Sequence, residues 1–207
     1  MRIGGIVVTL LLIFSQTLLG VSALEAPKAI GKITGFHEDK GHSTSTGFVI
    51  NESGLIVTAA HGVAGVNGLM IDVQGEIYTL EVLAMDEDMD IALLRPSDTV
   101  SKKFISLEFT TNKPFRFSEV TVFGFPFGAS RVDGGPIKSV GRVFIESSPH
   151  DYLDILIAPG NSGSPVFNED FEVVGVVLAV TREDSGRLCA MSIDSELILK
   201  RFAKELK

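Results

Sequence analysis

Ser162 lies in the run Gly160-Asn161-Ser162-Gly163-Ser164-Pro165, between two apolar stretches. A serine hydroxyl is a weak nucleophile until an adjacent base takes its proton. Attack on a carbonyl also needs preorganised donors for the developing oxyanion, and backbone N–H groups serve. A glycine two residues before Ser162 lets the chain turn so that the N–H groups of Gly160 and Ser162 face one point. Ser164 has no such glycine and precedes Pro165, which carries no N–H. Ser162 is therefore the expected nucleophile and Ser164 a small turn residue. Of the four histidines, His37, His42 and His150 sit among polar neighbours, where exposure is the expectation. His61 instead follows the apolar run GLIVTAA and precedes glycine. It is either a strand-end histidine satisfied by backbone or a base held at a strand's rim. Asp90 opens the run DIALLR, where a carboxylate beside an apolar strand needs a hydrogen-bond donor. It is either a turn residue, like the solvated Asp86 and Asp88 expected beside it, or a carboxylate able to fix the tautomer of an imidazole.

These residues need a frame, and the frame reads as all-β. Short runs such as TGFVI, GLIVTAA, DIALLR, EVTVFGF and EVVGVVLAV are rich in β-branched and aromatic residues. Gly, Asn, Asp, Ser and Pro clusters separate them at about ten-residue intervals, the spacing of an antiparallel sandwich or barrel. Helical spacing appears only at the end, where Ile198, Leu199, Phe202 and Leu206 recur behind Asp194 or Ser195 as a cap. The stretch 107–119, with a proline midway, reads as a linker between two β halves. No internal sequence repeat is visible.

The chain has 207 residues, 45% apolar, with a formal net charge of -8. Acidity argues against nucleic acid and anionic lipid as partners, since both select basic patches. The single cysteine, Cys189, excludes a disulfide within the chain and reads as a buried core thiol. Arg2, an uncharged run to Leu24 and the small residues Val21-Ser22-Ala23 form a secretory leader with cleavage expected after Ala23. That run also reaches the roughly 20 residues needed to span a bilayer, so a retained anchor facing outward is the alternative. The histidines and cysteine lack metal-ligand spacing, and neither metal nor organic cofactor is expected.

TAAH with His61, DIALL with Asp90 and PGNSGSPVFN with Ser162, in that order, resemble the chymotrypsin-like serine proteases, especially the bacterial Deg/HtrA-type and glutamyl-endopeptidase-type branches. VFGFPFG, KSVGRVF and CAMSID extend the resemblance over residues 44–206. It implies two antiparallel six-stranded β-barrels, the first over about 30–106 and the second over about 117–193, then a helix over about 194–206. It implies a secreted or periplasmic endopeptidase acting on protein or peptide through Ser162, His61 and Asp90, with the Gly160 and Ser162 N–H groups as oxyanion hole. A catalytically idle, peptide-binding relative is the alternative. Val177 stands where the glutamyl branch carries a histidine, so Val177 and Leu178 are expected to line a pocket for a small or medium apolar residue. No PDZ domain is expected after the helix.

Overall fold

In the computed structural model of the protein, residues 22–38, 41–182, 186 and 188–206 are described; the expected leader lies almost wholly in 1–21, outside them. Twelve strands are formed among the described residues. The first six are β1 (Ile30–His37), β2 (Gly41–Val49), β3 (Ile56–Ala59), β4 (Gly68–Val73), β5 (Glu76–Asp86) and β6 (Ile91–Pro96). They close into an antiparallel barrel in the order β1-β2-β3-β6-β5-β4. The second six are β7 (Glu119–Gly124), β8 (Ile137–Ile145), β9 (His150–Asp154), β10 (Pro165–Phe167), β11 (Val173–Arg182) and β12 (Leu188–Asp194). They close as β7-β8-β9-β12-β11-β10, the same permutation as the first barrel. Closure leaves neither barrel with an open sheet edge along its full length.

Three cores follow from strand periodicity. Ile33, Ile56, Ile71, Ala92 and Leu94 fill the first barrel. Val120, Val122, Val143, Leu153, Val166 and Val177 fill the second. Between the barrels, Phe48, Val57, Ala59, Ile91 and Leu93 meet Phe123, Phe125, Phe167, Val176 and Leu178. This is why every residue of β3 and of the start of β6 is buried, with Thr58 the one polar residue among them. Their residues alternate as in any strand, but both faces are covered, one by the barrel interior and one by the other barrel.

The C-terminal helix α1 (Ser195–Arg201) is shorter than the sequence spacing suggests, and residues 202–206 continue as turns. Ile198 and Phe202 are fully buried in the interbarrel core. Asp194 occupies the N-cap position without capping the helix through its side chain. Lys113 of the linker takes its carboxylate instead, and the Ser195 hydroxyl donates to the Thr110 carbonyl. The linker is thus fastened on both sides: the Leu107 N–H donates to Val49 O at 2.8 Å, while Phe109 bridges to Val173.

Candidate active site

The turn between β5 and β6 carries Asp90. Asp86 starts it and is not the solvated acid its composition suggested. One carboxylate oxygen accepts the Met89 N–H at 3.0 Å, and the other accepts Arg201 Nε of α1 at 2.5 Å. These bonds, that from Met89 first, hold the Asp86 carboxyl below the usual carboxylate range. Asp90 has φ 56°, a left-handed conformation that Asp tolerates better than most residues. Its carbonyl accepts the Ala60 N–H at 3.0 Å. Its side chain then meets His61, which stands in the single 3₁₀ turn Ala60–Gly62 at the end of β3. The His61 backbone N–H donates to Asp90 Oδ1 at 2.8 Å, and His61 Nδ1 lies 2.7 Å from Asp90 Oδ2. With the proton on Nδ1, Nε2 is left as the acceptor. The Asp90 contact raises the His61 pKa above its ordinary value, with partial burial opposing.

The serine turn comes from the other barrel. Gly160 has φ 100° and Gly163 φ 86°, and both approach backbone too closely for a side chain. A Cβ at Gly160 would fall 2.3 Å from Phe125 O, and one at Gly163 would fall 2.1 Å from Thr46 O. The turn is closed by the Asn161 N–H on Ala158 O and the Ser164 N–H on Asn161 O, each at 3.0 Å. Reciprocal bonds between Gly163–Ser164 and Val177 seat it on β11. Among the described residues, the Gly160 and Ser162 N–H groups donate to no protein acceptor.

Ser162 is half-buried, and its hydroxyl donates to Leu178 O at 3.2 Å rather than to His61. Ser164 is fully buried and packs against Gly124, away from solvent. His61, Asp90 and Ser162 line one cavity of about 820 Å³ between the barrels. Its remaining wall is mainly apolar, with Ile157, Ala158, Leu178, Val180 and Met191, and it includes His150. A groove of about 860 Å³ elsewhere, between the 23–30 segment and the 131–138 loop, is lined by no histidine, serine or cysteine.

Val177 does not reach the cleft. Adjacent residues of a strand point to opposite faces, so Leu178 enters the cleft while Val177, fully buried, fills the second barrel. The pocket residues missed by sequence reasoning include Met89, His150, Ile157, Ala158, Val180 and Met191. Thr46 of β2 was missed as well. Its hydroxyl donates to Gly160 O at 2.7 Å and accepts the Phe125 N–H at 3.2 Å, and its N–H donates to Ser162 O at 2.9 Å. Thr58 in turn donates to Thr46 O at 2.7 Å, so the first barrel clamps the serine turn of the second. Nothing in the local sequence marks a threonine 114 residues from its partner. Among the described residues, no three His, Cys, Asp or Glu side chains are grouped to hold a metal ion.

Two closed six-stranded antiparallel barrels, with a histidine and a serine lining one cavity at their junction, define the chymotrypsin-like fold. Residues 45–176 match the trypsin-like peptidase domain family, and the chain belongs to that family. Its relatives are of the Deg/HtrA type. It is 30% identical over 145 residues to a probable periplasmic serine endoprotease DegP-like of Halomonas elongata, covering 68% of this chain and 30% of that protein. It is 31% identical over 150 residues to serine protease HTRA1B of Danio rerio, covering 68% of this chain and 31% of the relative. The chain thus matches under a third of the length of these two relatives. A solved structure of the HtrA-type protease AlgW with a tripeptide shares the fold, with a TM-score of 0.74 at 18% identity, over 88% of this chain and 61% of that one.

Proposed function

We propose that the protein is a serine endopeptidase that works outside the cytoplasm. His61 Nε2 takes the Ser162 proton as Oγ attacks a peptide carbonyl carbon. The Gly160 and Ser162 N–H groups receive the oxyanion. Collapse of the tetrahedral intermediate breaks the C–N bond, and His61 returns the proton to the leaving amine. Water then repeats the sequence on the acyl-enzyme and frees the acid. Asp90 orients His61 and stabilises its charged form. The single observation that carries this reading is the two-point Asp90–His61 contact in the cavity that Ser162 enters. The uncommitted Gly160 and Ser162 N–H groups agree with it, since losing one oxyanion donor typically costs on the order of 10²–10³ in rate.

Ser162 reaches His61 in this reading by rotation about χ1, leaving Leu178 O. The mainly apolar wall of the cavity favours a small or medium apolar residue before the scissile bond. The expected leader and the periplasmic relatives support export, by cleavage after Ala23 or with the segment kept as an outward-facing anchor. Among the described residues, no helix is long and apolar enough to cross a membrane. A catalytically idle peptide binder is the second reading, favoured by the Ser162–Leu178 bond. Digestion of an unfolded protein substrate separates the two: wild type should cleave it and Ser162→Ala should lose about 10⁶-fold in kcat. Equal, background-level digestion by both folded proteins would favour the idle reading.

A further inference from the structure

Four consecutive carbonyls of the serine turn are each held by a hydrogen bond. The Pro159 carbonyl accepts the Phe127 N–H at 2.5 Å, and the Asn161 carbonyl accepts the Ser164 N–H at 3.0 Å. The other two are held by Thr46. The Gly160 carbonyl accepts its hydroxyl at 2.7 Å, and the Ser162 carbonyl accepts its backbone N–H at 2.9 Å. A trans peptide unit is planar, so fixing its C=O also fixes the N–H that points the opposite way. The Pro159 and Asn161 carbonyls therefore aim the Gly160 and Ser162 N–H groups. The plane between those two units, Gly160–Asn161, is pinned by the Thr46 hydroxyl. Gly160 has φ 100°, and a glycine restrains its own backbone least, so this plane depends most on an outside partner.

Thr46 is fully buried on β2 and is not among the residues that line the cleft cavity. Any effect it has on the chemistry passes through the serine turn. Its remaining bonds fix it in turn: the hydroxyl accepts the Phe125 N–H at 3.2 Å, just past β7, and its carbonyl accepts the Thr58 hydroxyl at 2.7 Å. Both bonds of the Thr46 hydroxyl thus leave the first barrel for the second. We infer that Thr46 is a positioning residue: its hydroxyl holds Gly160 so that the Gly160 and Ser162 N–H groups aim at one oxyanion. This rests on the endopeptidase reading and deepens it. It makes the aim of donors in the second barrel depend on the docking of the first.

The test removes the hydroxyl and leaves the shape. Thr46→Val keeps the backbone N–H on Ser162 O but loses the donor to Gly160 O and the acceptor for Phe125 N–H; Thr46→Ser keeps both. A misplacement of about 1 Å can cost about 10²-fold, so kcat of Thr46→Val should fall roughly 10- to 100-fold with KM little changed, while Thr46→Ser stays within about threefold of wild type. A peptidyl trifluoromethyl ketone adds Ser162 Oγ to its carbonyl carbon, leaving an oxyanion on the same donors and the proton on His61. Its affinity should fall by the same factor as kcat/KM. The acid-side midpoint of kcat/KM, set by His61, should stay where it is. Circular dichroism reports folding, and if Thr46→Val does not fold, Thr46→Ala takes its place. Wild-type kcat in the folded variant, a loss carried by KM alone, equal losses in Thr46→Ser, a shifted midpoint, or unchanged inhibitor affinity overturns the positioning role alone. Folded wild type that neither cleaves nor takes a fluorophosphonate on Ser162 overturns the endopeptidase reading, and the positioning role with it.

Discussion

At the scale of single residues, the account turns on which proton sits where. Asp90 fixes the His61 ring by accepting from both its backbone N–H and Nδ1, and the same contact raises the imidazole pKa. A protonated His61 cannot take the Ser162 proton. The sign follows: kcat/KM should fall on the acid side with a midpoint above the ordinary imidazole value of about 6.5. Asp90→Asn removes the carboxylate that raises the pKa, so the midpoint should move down while the rate drops by about 10⁴. A pH–rate profile of both proteins, with NMR titration of the His61 ring, checks this; an unchanged midpoint in the variant contradicts it. The difference in setting between Ser162, which lines the cleft, and the buried Ser164 agrees with glycine spacing and a following proline, which are local signals. The clamp by Thr46 was not legible, since it depends on a contact between barrels. Val177 was misread because a position in a motif does not say which face of a strand it occupies.

At the scale of elements, the junction of β9, β12, α1 and the linker holds a buried acid pair. Asp151 is 7% exposed and Asp194 3% exposed. Burial pushes the Asp151 carboxyl up to about 6, and the neighbouring Asp194 charge adds to the rise, against the Ser147 N–H at 3.0 Å and the Lys113 ammonium. A proton on Asp151 supplies the donor that Asp194 Oδ1 otherwise lacks. Glu196 of α1 adds a further negative charge near Lys113. A group whose folded pKa is raised stabilises most below its unfolded pKa, about 4, and that stabilisation is lost as pH rises through its folded pKa. Denaturant midpoints should therefore fall between pH 5 and pH 7. Asp151→Asn, which keeps a donor at every pH, should lessen the fall. His61 contributes with the same sign, so the wild-type-minus-variant difference is the quantity to read; no difference contradicts the assignment. The helix itself was legible from its apolar spacing. Its early end and the redirected Asp194 were not, because the competing partner comes from the linker.

At the scale of the whole molecule, the two barrels share one strand permutation without a visible sequence repeat. A closed barrel asks only for apolar residues at inward positions and turns at suitable intervals, and different residues meet that demand in each half. Strand runs and turn clusters were therefore legible, while the likeness of the halves was not. What the chemistry requires of the fold is that β3 and the β5–β6 turn deliver an imidazole and a carboxylate to a serine turn built on β11. The most direct measurement is mapping of a fluorophosphonate adduct by peptide mass spectrometry. The account predicts one adduct on Ser162 in the wild-type protein and none in His61→Ala. A folded wild-type protein that takes no adduct, takes it at another residue, or labels equally well without His61 would contradict it.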